Sequence, residues 1–136
     1  MVALPDEVFR AINDPKSARV LGTKDEDGAI HLIQVGSLKA ADPELIVLGA
    51  ILMKHTSKNL DAAKADGSCV SVLVTSGMDS YEIKAKVMDY VTSGPAFEQM
   101  NAALKAMGLQ ARGVYMLHPE EVWNQGATYD AGKKMV

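Results

Sequence analysis

The sequence predicts a mainly β chain of the α+β class, a small antiparallel β-barrel carrying three short helices. Three observations predict it. About six runs rich in Val, Ile and Leu have strand length, and turns built on Gly, Asp and Pro join them at hairpin spacing. Only three segments carry the helical apolar period, all short. A length of 136 residues suits one domain with one core of ordinary size.

Each element has its own signal. Leu4, Val8 and Ile12, with Phe9, recur at helical spacing behind Pro5, and Asp6 and Glu7 suit a first turn. Asn13-Asp14-Pro15 ends that helix. Ala18–Lys24 reads as a strand, Asp25-Glu26-Asp27-Gly28 as a hairpin turn, and Ala29–Leu38 as a second strand with apolar residues on both faces. After the turn Ala41-Asp42-Pro43-Glu44, the apolar run Leu45–Leu52 is a third strand. A helix is expected from Thr56 to about Lys64, capped by Thr56 or Ser57 and stopped by Asp66-Gly67.

Ser68–Thr75 is the fourth strand, and Cys69 within it is expected to be buried as a small hydrophobe. In the fifth, Tyr81–Val91, the residues Tyr81, Ile83, Ala85 and Val87 share a face until Met88 breaks the alternation, which predicts a bulge. Gly94-Pro95 opens a third helix with the stripe Phe97, Met100, Leu104, Met107, closed by Gly108. Val114–His118 and Glu121–Trp123 read as closing β structure interrupted by Pro119. The polar tail from Gly126 to Val136 is expected to lie over the surface.

Composition narrows the function classes. Hydrophobic content of 48% with 23% charged residues is that of a folded globular chain. A net charge of −3 and a pI of about 5.5, without a basic stripe, argue against nucleic-acid binding. One cysteine allows no intrachain disulfide. The first residues lack the pattern of a signal peptide, and no run reaches the ~18 apolar residues of a membrane span. A cytoplasmic protein without a membrane partner is expected. His31, His55 and His118 lie far apart in sequence, so no metal site is expected. Nucleophile elbows and dinucleotide fingerprints are absent, and no residue stands out as catalytic.

One stretch carries chemistry. Met53-Lys54-His55-Thr56-Ser57-Lys58-Asn59-Leu60-Asp61 follows a buried strand and opens a helix. Cationic or titratable side chains, hydroxyls and a helix N-terminus meet there, a combination that suits an anion. An ordinary helix cap beside solvated lysines is the alternative. Gln34-Val35-Gly36-Ser37 can lie beside Leu48-Gly49-Ala50. Gly36, Gly49 and Ala50 would then leave backbone open to a flat ring, or simply mark a bend in the barrel.

The order of Gly28 to His31, Val35-Gly36-Ser37 and Met53-x-x-Thr56-x-x-Asn59-Leu60 resembles the FMN-binding split barrels related to pyridoxamine 5′-phosphate oxidase, over about Val8 to Trp123. The resemblance implies a split β-barrel of about six antiparallel strands and non-covalent FMN at the interface of a homodimer. It implies that Lys54, His55 and Thr56 hold the phosphate and that Asn59 steadies the loop. Gln34, Val35, Gly36 and Ser37 would follow the isoalloxazine and ribityl chain, with Gly49 and Ala50 lining the same groove. Trp123 would reach the partner's flavin or fill the core.

Two departures from that pattern speak against vitamin B6 oxidation. His55 stands where the oxidases have arginine, and the tail Ala131-Gly132-Lys133-Lys134-Met135-Val136 lacks their arginine-containing segment. A histidine there also makes anion binding depend on pH. An FMN-dependent redox protein or oxidoreductase is the first expectation, its electron donor and acceptor unread. A non-catalytic carrier of flavin, deazaflavin or haem is the second, with His31 or His118 as axial ligand. A β-barrel interaction protein is the third.

Overall fold

A computed structural model describes residues 1–136. The elements run α1 (Asp6–Asn13), β1 (Ala18–Lys24), β2 (Ile30–Gln34), β3 (Leu38–Asp42), β4 (Leu45–Gly49), α2 (Lys54–Asp66), β5 (Cys69–Ser76), β6 (Asp79–Val91), α3 (Pro95–Lys105) and β7 (Val114–Asn124). Seven strands form one sheet in the order β2-β1-β5-β6-β7-β4-β3, and every pairing is antiparallel.

The connection between the two edge strands makes this sheet a barrel. Only Val35, Gly36 and Ser37 join β2 to β3. Laid flat, the outer strands of seven would lie roughly 29 Å apart at the usual strand spacing. From Gln34 to Leu38 the chain reaches at most about 15 Å. The sheet must therefore curl until its edges approach, leaving a seam at Val35–Ser37. Val35 N–H donates to Arg19 C=O at 2.9 Å on β1, and Ser37 Oγ donates to Gly49 C=O at 3.0 Å on β4. Arg19 reaches across the seam to Leu38 C=O at 3.0 Å. Asn13, the last residue of α1, bonds both N–H and C=O of Ala40, so the β3 edge is covered.

The strand expected over Ala29–Leu38 is thus two strands on opposite edges, and the sheet has seven strands where about six were expected. Alternation within 29–38 could not reveal the break, because the change of partner happens in three dimensions. Inside the barrel, Leu21, Val72, Val74, Ile83, Leu117 and Val122 meet Val8 and Ile12 of α1 and Leu60 of α2, all fully buried. Each such side chain contributes about 1.5–3 kcal/mol. A smaller outer core forms where Met100 and Leu104 of α3 cover Val47, Ala111 and Val114.

Several expectations need correction. α2 begins at Lys54, two residues before Thr56, and its cap position is Met53, without a side-chain cap bond. Cys69 is exposed, because β5 turns Val70, Val72 and Val74 inward and Cys69 outward. β7 is one strand through Pro119: its register slips there against β6, and β4 stops pairing at Leu117. Beyond that point the tail takes the place of β4, with Asn124 N–H donating to Lys133 C=O at 2.8 Å and Met135 N–H to Val122 C=O at 2.7 Å. Met107 is exposed, so the α3 stripe ends at Leu104. The bulge at Met88 is present as a register shift between Val87 and Asp89. Gly67 ends α2 at φ 74°, the left-handed cap that suits glycine.

Candidate functional site

The seam opens onto a cavity of about 550 Å³, within the range of cofactor sites. Three regions wall it. His31 and Ile33 to Ser37 come from β2 and the crossing segment, Gly49 and Ile51 to Thr56 from the end of β4 into α2, and Leu104, Met107 and Leu109 from α3 and the turn after it. Of the residues singled out from the sequence, Gln34, Val35, Gly36, Ser37, Gly49, Lys54, His55 and Thr56 line this space. Ala50 does not. It is 1% exposed in the barrel core, its N–H donating to Gly113 C=O at 2.9 Å. Asn59 is also away from the cavity wall, one turn into α2 and buried.

The two glycines differ. A Cβ on Gly36 would have nothing within 4 Å, so its backbone is open to the cavity. At Gly49 it would meet Met100 Cγ at 3.1 Å and Sδ at 3.2 Å, so this glycine makes room for α3. Of the strand backbone expected to be free for a flat ring, Gly36 is the open part.

At the other end stands the first turn of α2. Its first intrahelical bond is Ser57 N–H to Met53 C=O at 2.9 Å, which leaves the N–H groups of Lys54, His55 and Thr56 without an intrahelical acceptor. Lys54 is exposed and makes no ion pair. Thr56 is buried, and its Oγ1 shares a 3.2 Å hydrogen bond with His31 Nε2. An unpaired ammonium, a hydroxyl and helix-start amides on one cavity wall are an arrangement whose chemistry suits an anion.

His55 is differently placed than its sequence position implied. Its Nε2 lies 2.7 Å from Asp25 Oδ1, and its ring stacks on His31 with centroids 4.0 Å apart. The two histidines, distant in sequence, meet because the β2 edge lies against the start of α2. Asp25 is delivered by the turn after β1, where Gly28, at φ 88°, closes a 2.9 Å bond to Asp25 C=O. Asn59 Nδ2 donates to the same Asp25 oxygen at 2.7 Å and to Thr23 Oγ1 at 3.1 Å. The Asn59 hydrogen bond, then that of His55, hold the Asp25 carboxyl below its ordinary pKa.

His118 is remote from the cavity, on β7 against Met1. Trp123 is half-buried, its backbone bridges to Lys134 of the tail, and it does not line the cavity. The sequence offered His31 only as an axial haem ligand, and it left Asp25 and the apolar wall from α3 out of the site. His31 and Ile33 share one strand face, a period-two signal that was available. Asp25 looked like any turn acid, and Leu104, Met107 and Leu109 approach from an element distant in sequence.

No protein-family profile matches the chain, and no curated protein matches it. Solved structures do. Group A Streptococcus HupZ superposes with a TM-score of 0.77 at 16% identity, over 97% of this chain and 100% of its own. An FMN-binding protein from Syntrophomonas wolfei gives 0.75 at 12% identity, over 88% and 84%. A Clostridium acetobutylicum protein of the pyridoxinephosphate oxidase family, related to general stress protein 26, gives 0.67 at 9% identity, over 95% and 92%. At these identities the likeness is one of fold, and the fold is the split barrel. No helix is long and apolar enough to cross a membrane.

Proposed function

We propose that the chain is a flavin-binding redox protein that holds FMN without a covalent bond. The observation that carries this reading is the shared cavity: the open backbone at Gly36 and the anion-binding first turn of α2 face one space of about 550 Å³. A flat ring with a phosphate tail needs both ends. Lys54, Thr56 and the free amides of the first turn are assigned to the phosphate, with His55 oriented beside them by Asp25. Gln34 to Ser37 is assigned to the ring. Flavin supplies the redox chemistry when bound, while the chain positions it and limits water at the apolar wall of Leu104, Met107 and Leu109.

The homodimer belongs to the same proposal. Leu52, Met107 and Leu109 are exposed at the cavity. An apolar groove of about 1100 Å³ continues from Gly36 and Ser37 over the outer face of β3, β4 and α3. A second copy seated there would cover exposed apolar side chains that otherwise meet water. Light scattering at micromolar concentration is expected to give twice the chain mass.

The test of the cofactor is titration of flavin-free protein with FMN, followed by quenching of flavin fluorescence. Saturable binding is expected, and Lys54→Ala should weaken it about 10-fold, the loss of one charge-assisted hydrogen bond. A protein that takes up no FMN refutes the reading.

A further inference from the structure

We propose that Asp25, His31 and His55 form a binding site for a divalent transition-metal ion, with Zn²⁺ as the best-suited probe. One ligand atom from each lies within 4.8 Å of the other two. Their origins differ: Asp25 from the turn after β1, His31 from the β2 edge, His55 from the first turn of α2. The tertiary fold thus gathers two imidazoles and a carboxylate, the donor set of three-ligand zinc centres that keep a fourth position for solvent or substrate.

The separations suit such an ion. Tetrahedral ligands at about 2.0–2.2 Å from Zn²⁺ stand a little over 3 Å from one another. The 2.7 Å contact between His55 Nε2 and Asp25 Oδ1 would open by a fraction of an ångström, and the other donors would close in. The adjustment falls to His55, whose side chain is 57% exposed and can turn off the His31 ring so that both imidazoles point to one ion. Supporting bonds already orient the donors: Asn59 Nδ2 holds Asp25 at 2.7 Å, and Thr56 Oγ1 holds His31 at 3.2 Å. Outer partners of this kind are what metal-ligating carboxylates and imidazoles require. The cavity beside His31 and His55 leaves the fourth position accessible.

This site shares His55, and the supporting Thr56, with the proposed phosphate clasp but does not rest on flavin binding. Calorimetric titration of the flavin-free protein with ZnCl₂, repeated with Co²⁺ and its visible absorption, tests it. One ion per chain is expected, with the Co²⁺ spectrum of a tetrahedral site. His31→Gln, His55→Gln and Asp25→Asn should each weaken binding at least 10-fold, and His118→Gln should leave it unchanged. Circular dichroism establishes that each variant is folded. His55→Gln, changing an exposed side chain, serves where Asp25→Asn is not folded. Absence of saturable binding overturns the proposal, and so does binding unaffected by His31→Gln. FMN uptake without zinc uptake removes the ion site and leaves the flavin reading standing; the converse does the reverse.

Discussion

Gly36 and Gly49 both line the cavity, yet valine at each should act in opposite ways. At Gly49 the new Cβ starts 3.1 Å from Met100 Cγ, 3.2 Å from Met100 Sδ and 3.5 Å from Ala111 Cβ. Met100 is 2% exposed, so its side chain cannot swing out into solvent without opening the outer core. Overpacking of this kind costs about 1–3 kcal/mol. For a chain of this length that lowers the thermal midpoint by roughly 3–10 °C.

At Gly36 nothing stands within 4 Å and φ is not positive, so neither clash nor backbone strain opposes a side chain. Stability should stay within about 0.5 kcal/mol, as at other open surface positions. The valine would instead project where the ring is assigned, and FMN affinity should fall 10-fold or more, about 1.4 kcal/mol. Calorimetric melting and FMN titration of both variants separate the effects. A Gly36→Val protein that binds FMN like the parent refutes the ring assignment. A Gly49→Val protein that melts like the parent refutes the packing argument.

Three further predictions concern the frame of the site. The Asp25 carboxyl is held below its ordinary value of 3.8, so its charged form stabilises the fold above that pH and the benefit is lost as pH falls through the lowered value. Urea unfolding should show Asp25→Asn less stable than the parent near neutrality and equal to it in acid below the Asp25 transition; a constant gap would contradict this. Burial pushes the Tyr115 hydroxyl up to about 12, and it donates to Asp61 at 2.8 Å. The raised value adds stability in full below the unfolded pKa of about 10, lost as pH rises through the folded one, and Tyr115→Phe should remove that alkaline dependence. A Cβ on Gly113 would overlap the Tyr90 ring, which packs on Tyr115 with centroids 4.5 Å apart. Gly113→Ala should therefore cost about 1–3 kcal/mol in urea unfolding, and a neutral result would show that Tyr90 moves freely.

Much of this was written along the chain. Val8 and Ile12 marked the buried face of α1, the Tyr81–Val87 alternation marked the inward face of β6, and Met88 marked its bulge. Apolar periodicity is a local consequence of having one dry face, so it can be read without partners. Capping at Gly67 and the turn at Gly28 were legible for the same reason, since positive φ is a property of one residue. The Lys54–Thr56 turn was legible as a candidate anion site by residue type and by its place near a helix start.

What only the tertiary structure decided depends on closure. Three residues, Val35 to Ser37, carry the chain from one sheet edge to the other, and the short reach of that link curls the sheet. Curling brings the β2 edge against α2, which stacks His31 on His55, and it turns Ala50 into the core while opening Gly36 to the cavity. Which face of β5 meets the core sets Cys69 outward, and the packing of α3 on the outer face is why Gly49 is small beside Met100. Sequence determines the elements because their signals are local. It leaves the meeting of Asp25, His31 and His55 unread, because that meeting is set by how far three residues can reach.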